Sequence, residues 1–292
     1  FVRFSEIVKE FLDSKDSPEL LQNFVNSWLA EPWEDTKLKT SADMVMERQT
    51  DLKELIVPSW ASFITGGVDV QQNCLYWSIR AWGSYITSQN IAHGQALSFQ
   101  EVENIMNLAY RTEDGEAIVV SLCLVDSGYD TDSAYDFCAS NSDWAMPVKG
   151  SSNPMMSHFK LSTINRATSK AHGMNLVIVD TDKYKDMIAS RMKKENGKGA
   201  WMVYQGCDRE YAEQVTAEHK VNIKSGSRII QRWVQKHSHG DNHYLDCSVY
   251  EMAAADILGV RTLHLQEEEP APVEEVRETP EENWIGANEN WL

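Results

Sequence analysis

The stretch Phe63-Ile64-Thr65-Gly66-Gly67-Val68-Asp69-Val70-Gln71 constrains this chain most, because it is an apolar strand pattern with one acid inside it. Gln72-Asn73 make a polar turn, and Cys74-Leu75-Tyr76-Trp77-Ser78-Ile79 folds back as a second strand. A carboxylate between Val68 and Val70 is costly to bury unless a cation or a donor meets it. Two later positions repeat the pattern. Asp126 ends the apolar run 117–125, and Asp246 sits in the first turn of an alanine-rich helix. Three isolated acids at the ends of buried elements point to a divalent-metal site.

The rest of the pattern alternates. Residues 84–97 supply a third strand, and Ser98-Phe99-Gln100-Glu101 has the capping-box spacing that opens a helix to about Tyr110. Residues 117–125 read as a buried central strand, 131–139 as a helix and 144–148 as a strand. Strands at 175–179 and 201–204 alternate with helices at 183–194 and 209–217. A hairpin pairs 221–223 with 228–234 around Ser225-Gly226-Ser227, and a helix over 242–258 closes the unit. This order predicts an α/β fold, a mixed sheet with an antiparallel edge flanked by helices. Ahead of it, Ser5–Leu12 and Pro18–Leu29 have helical spacing, and 34–60 is polar with weak periodicity. The expected division is a helical connecting segment over 1–60, a catalytic domain over 61–265 and an acidic tail over 266–292. The tail carries 9 Glu against one Arg, a composition that cannot bury a core. Its Trp284 and Trp291 offer a docking peptide.

Several classes are disfavoured. No apolar run has the length of a membrane span, and the N-terminus shows no signal-peptide pattern and reads as a fragment of a longer protein. The five cysteines contain no C-x-x-C pair, so a structural zinc site is not expected and a reducing compartment fits. Asn196-Gly197-Lys198-Gly199 lacks the Walker A pattern. A net charge of −17 argues against nucleic acid, but residues 149–237 carry 16 Lys and Arg against 8 Asp and Glu. That basic middle can present a cationic groove between acidic flanks. Lys149, Lys170, Lys183, Lys185, Lys193 and Lys194 are its candidate DNA contacts, each also readable as a solvated surface charge.

Asp126 falls at the carboxyl end of a central strand, where open α/β sheets bind ligands. Asp246 shares a helical face with Tyr250, Ala253 and Ile257, and the small residues 253–255 let that helix lie close to the sheet. Asp69, Asp126 and Asp246 can therefore converge. Hard oxygen donors without a Cys or His pattern suit Mg²⁺ or Mn²⁺, and two such ions support phosphodiester hydrolysis. Taken singly, each acid reads as a cap or a buried ion pair. Asp130 and Asp132 could ligate too, although Asp130 also fits a helix N-cap. His239 and His243 flank the last helix without metal spacing.

The motifs Phe24-Val25-Asn26, Glu31-Pro32-Trp33, Gly67-Val68-Asp69-Val70-Gln71, Val125-Asp126-Ser127-Gly128-Tyr129, Val148-Lys149-Gly150, Thr216-Ala217-Glu218 and Leu245-Asp246-Cys247 occur in that order. Together they resemble the large terminase subunit of lambda-type tailed phages, over about residues 20–260. The resemblance implies an RNase H-like nuclease that cuts concatemeric viral DNA during genome packaging in the host-cell cytoplasm. It implies Asp69, Asp126 and Asp246 as catalytic ligands of two Mg²⁺ or Mn²⁺ ions. Double-stranded DNA, an ATPase half of the same protein, the small terminase subunit and the portal or prohead would be its partners, with no membrane. Two other readings remain open on the residues alone: another RNase H-like enzyme such as a transposase or resolvase, and a non-catalytic docking module.

Overall fold

A computed structural model describes residues 3–15, 24–25, 27–29, 40–225, 228–238 and 240–264. The chain begins with helix α1 (Phe4–Ser14), then α2 (Ala42–Met46) and a two-residue strand β1 (Ile56–Val57). Strands β2 (Phe63–Val70), β3 (Leu75–Gly83) and β4 (Thr87–Ala96) form a meander, followed by α3 (Phe99–Met106), β5 (Tyr110–Thr112) and β6 (Ala117–Ile118). Next come β7 (Val120–Asp126), α4 (Thr131–Ser140), β8 (Ala145–Gly150), β9 (Phe159–Thr163) and β10 (Asn175–Val179). The chain continues with α5 (Thr181–Met192), β11 (Trp201–Val203), α6 (Arg209–Val215), the hairpin β12 (Glu218–Ser225) and β13 (Arg228–Gln235), and α7 (His243–Ile257).

Eight strands form one mixed sheet in the order β11-β4-β3-β2-β7-β8-β10-β9. The meander is antiparallel, and β7 adds in parallel to the other side of β2, followed by β8 in parallel. This is the RNase H-like arrangement that the sequence leads one to expect. The turn residues Gln71–Asn73 close the first hairpin, with Gln71 N–H donating to the Cys74 carbonyl. Asp130, Asp180 and Asp208 each accept from a backbone N–H three residues on, and so fix the starts of α4, α5 and α6. Ser98 caps α3 in the same way, but its Glu101 reaches the Leu97 N–H, so the expected box closes one residue early. Among the described residues, no helix is long and apolar enough to cross a membrane.

Helices cover both faces of the sheet. On one, α3 and α4 bury Val68, Val125 and Phe137; on the other, α5, α6 and α7 bury Leu124, Ile188, Tyr211 and Val249. The close approach of α7 to β2 depends on Gly67. A Cβ there would stand 2.2 Å from the Cys247 carbonyl oxygen, so any side chain would push the helix off the strand. One turn further along, the Thr65 hydroxyl donates to the Glu251 carbonyl at 3.0 Å. The Glu251 carboxylate meets Arg80 at 3.2 Å, and neither side chain is exposed at all. Arg80 also donates to the Met202 carbonyl and the Tyr211 hydroxyl, with its guanidinium 4.1 Å from the Trp201 ring centroid. Ser78 donates to the other Glu251 oxygen. Every strong group in this buried cluster is answered.

Two expectations need adjusting. Residues 42–57, expected within the connecting segment, pack on the body: Val45 is fully buried in the core, and β1 pairs in parallel with β5. Strand β9 escaped the sequence pattern because it is an edge strand whose residues are mostly exposed. Most of the expected helix 18–29, the tip at Gly226-Ser227, His239 and the acidic tail 266–292 lie outside the described residues.

Removing one member of the buried pair strands a charge in the core, which costs about 3–5 kcal/mol, whereas replacing both partners by apolar groups can be neutral. Arg80→Met should therefore destabilise the protein severely in urea unfolding, and Arg80→Met with Glu251→Leu should recover most of the loss. Equal losses in the single and double variants would show that the pair does not hold helix and sheet together.

Candidate active site

Asp69 and Asp126 reach the same end of the sheet because β2 and β7 run parallel, with Val68 in register with Val125 one step earlier. Their side chains share the face on which α7 lies, and Asp246 enters from the first turn of that helix. The three acids named from sequence feel one another electrostatically: Asp69 raises the carboxyl of Asp126, and both raise that of Asp246. Among the described residues, however, no three His, Cys, Asp or Glu side chains stand so as to hold a metal ion.

Each acid has its own support. Asp69, 4% exposed, accepts at Oδ2 from Gln71 Nε2 and from His243 Nδ1, both at 2.8 Å. The His243 ring stacks on Tyr76 with centroids 4.2 Å apart. Its bond to Asp69 outweighs burial and raises the imidazole above its ordinary value. Asp126 accepts at Oδ1 from the Gly128 N–H at 3.1 Å and from the Tyr250 hydroxyl at 3.4 Å. Burial and then Asp69 nevertheless push it up to about 6.

Asp246 accepts from Asn242 at 3.2 Å and lies 3.7 Å from the Lys185 ammonium. Burial carries its carboxyl up to about 7; Lys185 opposes this, while Asp69 and Glu218 add to it. Lys185 itself lies 2.8 Å from both oxygens of Glu218, and Asn242 donates to Glu218 as well. Burial would lower the lysine, but Asp246 and Glu218 together raise it.

The candidate DNA contacts scatter. Lys185 is 7% exposed and belongs to this acidic cluster, so it is no surface contact: the basic look of α5 hid an inward-facing lysine. Lys183 donates to the carbonyls of Met155, Met156 and Ser157. Lys170 pairs with Asp136 at 2.8 Å. Lys149 stands 6.0 Å from the Tyr135 ring centroid and is near enough to Asp126 to lower its carboxyl. Lys193 is half-buried, and Lys194 is exposed near the Gly199 turn. Asp130 serves as the α4 cap, and Asp132 pairs with Arg166.

Sequence reading named His243 and Tyr250 without giving either a role at the acids, and passed over Asn242 and the pairing of Lys185 with Glu218. His243 and Tyr250 carried one usable signal, since they fall three residues before and four after Asp246 on the same helix.

The donor set, three carboxylates with two held above their ordinary range by burial and mutual repulsion, fits a hard divalent cation in chemistry. It is not a closed cage.

A family model described as the terminase large subunit gpA endonuclease domain matches residues 1–267. The chain is 26% identical over 275 residues to the terminase large subunit of Enterobacteria phage P21, covering 87% of this chain and 41% of that protein. It is likewise 26% identical over 275 residues to the terminase large subunit of Escherichia phage lambda, covering 88% and 42%. The chain thus spans about two fifths of the length of these curated relatives. No solved structure matches it.

The raised carboxyls give a pH prediction for the metal-free protein. Asp126 and Asp246 bind protons more tightly folded than unfolded, so their contribution to stability is full below about pH 4. It is lost as pH rises through the folded values of about 6 and about 7. In EDTA, the thermal midpoint should fall by several degrees between pH 5 and pH 8, and Asp126→Asn or Asp246→Asn should flatten that slope. An unchanged slope in both variants would mean that these carboxyls are not held near neutrality.

Proposed function

Since the chain belongs to the family of terminase large subunit gpA endonuclease domains, we propose that it is a divalent-metal-dependent endonuclease that cuts concatemeric viral DNA during genome packaging in the host-cell cytoplasm. The observation that supports this reading is that Asp69 and Asp126 stand at the carboxyl end of two adjacent parallel strands and Asp246 lies near enough for both to raise its carboxyl.

Asp69, Asp126 and Asp246 would hold Mg²⁺ or Mn²⁺. Two such ions, when bound, lower the pKa of water and stabilise the leaving oxygen of a phosphodiester. The chain's own residues prepare that step. His243 and Gln71 fix the Asp69 carboxylate through Oδ2. Tyr250 and the Gly128 N–H orient Asp126 through Oδ1. Lys185 and Asn242 hold Glu218 beside Asp246 and keep part of the local negative charge balanced. A bound divalent ion would return both raised carboxyls to their ionised forms.

The 292 residues carry no Walker A pattern, so the reading assigns them the cutting step and not the ATP-driven one. Double-stranded DNA is the proposed substrate. The ATPase half, the small terminase subunit and the portal or prohead are the proposed partners. A non-catalytic docking role is the alternative, favoured by the lack of a ready three-ligand cluster among the described residues.

Nicking of supercoiled plasmid with and without Mn²⁺ tests the proposal. Cleavage should require the ion, and Asp69→Ala, Asp126→Ala and Asp246→Ala should each reduce it by several orders of magnitude without lowering the thermal midpoint, since each relieves repulsion. Full activity in one variant would remove that residue from the site. No cleavage by the parent chain with either ion would select the docking role.

A further inference from the structure

Two exposed apolar side chains stand on the loops that leave the carboxyl ends of β7 and β8. Tyr129 is 61% exposed, three residues after Asp126, and Met156 is fully exposed in the loop 151–158. Strands β7 and β8 are parallel neighbours with Asp126 in register with Val148, so both loops lie on the edge that carries the acids. One exposed apolar side chain is ordinary. Two on adjacent loops are less so, and here both loops are held stiff.

The first loop is tied to β8. Ser127, fully buried, donates its N–H and its hydroxyl to the Val148 carbonyl at 3.0 and 2.9 Å, and the Gly128 N–H donates to Asp126. The second loop is tied to the start of α5. The Met155 N–H donates to the buried Asp180 carboxylate at 2.9 Å, and the Asp180 N–H donates to the His158 carbonyl at 2.8 Å. The Lys183 ammonium donates to the Met156 carbonyl at 2.8 Å and also to the carbonyls of Met155 and Ser157. The backbone at Met156 is thus fixed while its side chain lies wholly in solvent. A loop ordered beforehand gives up little freedom on binding, which favours contact with a partner.

Charge selects the partner. Between Asp143 and Asp180 the chain carries no acid, in a protein of net charge −17. Arg166 and Lys170 in that stretch answer acids of α4, and Lys149 stands one residue before the end of β8. Asp130, the acid of the first loop, is engaged as the α4 cap. Apolar tips on acid-free or satisfied loops suit a polyanion with flat apolar faces inside it, which is duplex DNA. Neighbouring strands lie about 4.8 Å apart and stacked base pairs about 3.4 Å apart, so tips on adjacent loops span one or two base steps. Apolar side chains inserted at a step unstack it and kink the duplex. We propose that Tyr129 and Met156 form a wedge that enters duplex DNA and opens a base step beside the phosphate presented to the acids. The wedge rests on the nuclease reading for its substrate.

A duplex with 2-aminopurine at a flexible TA step, whose emission rises when that base unstacks, reads the wedge without cleavage. The full chain is titrated in Ca²⁺, a hard cation for oxygen donors. The parent chain should raise the emission. Tyr129→Ser with Met156→Ser should abolish the rise and weaken duplex binding at least about fivefold, the low end for a base stacked on a side chain. Tyr129→Phe with Met156→Leu should restore both, and no variant should move the thermal midpoint, since both positions are exposed. No rise with the parent, a rise that survives the serine pair, or a loss that phenylalanine and leucine do not restore would overturn the proposal. Plasmid nicking in Mn²⁺ is scored separately. Unstacking without nicking would keep the wedge and remove the nuclease; nicking without unstacking would do the reverse.

Discussion

Helix α7 touches β2 backbone to backbone at Gly67, and the geometry of the acidic end follows from that contact. The Cys247 carbonyl occupies the space a side chain at Gly67 would fill. Asp246, the residue before it, is thereby carried to the strand end where Asp69 and Asp126 stand. One turn later on the same helix, Glu251 is tied by its carbonyl to Thr65 and by its carboxylate to Arg80 and Ser78. The helix is thus pinned to β2 at one level and to β3 at the next. Neither rotation nor sliding is left open without breaking a fully buried ion pair, and Asp246 inherits that rigidity.

The same seating creates an electrostatic problem that the fold only partly solves. Asp69 has two good donors in His243 and Gln71. Asp126 has the Gly128 N–H and a longer contact from Tyr250, yet burial and the Asp69 charge still dominate it. Asp246 shares Lys185 with Glu218, and the lysine sits closer to Glu218. A cluster satisfied for stability alone would neutralise all of these acids. This one leaves Asp126 raised to about 6 and Asp246 to about 7, by burial first and by neighbouring carboxylates second, a pattern that gathers at functional sites but that burial alone also gives to Glu251 in the core, raised to about 7.

Much of this was legible in the sequence because the signals were local. The lone acid in the 63–71 stretch, the acid ending the apolar run 117–125 and the acid opening the last helix are each visible within about ten residues. The meander and the alternation after it followed from period and turn residues. What was not legible depends on partners far apart in the chain. Lys185 looks like one more cation on a basic helix until Glu218, thirty-three residues later, comes to meet it. His243 has no metal spacing, and its role as the donor to Asp69 spans 174 residues. Residues 42–57 are polar and weakly periodic, and only the tertiary fold shows Val45 in the core.

The charge around the acidic end is negative, because the basic surplus elsewhere does not gather there. The basic surplus of residues 149–237 promised a cationic groove, but much of it is spent internally. Lys220 pairs with Asp186 at 2.6 Å, Lys185 with Glu218, Lys170 with Asp136 and Arg166 with Asp132, while Lys183 is turned to backbone carbonyls. The acidic end is left with Asp69, Asp126, Asp246 and Glu218 against Lys185, a nearby Lys149 and a histidine bonded to one of the acids. A phosphodiester approaching that field meets like charge at short range, in a setting where burial weakens screening. For the proposed nuclease, a divalent ion bound at the acids would reverse the sign of the field that a scissile phosphate encounters, besides any chemistry it supplied. Surface lysines elsewhere could raise the encounter rate, but they could not remove the repulsion at the acids themselves.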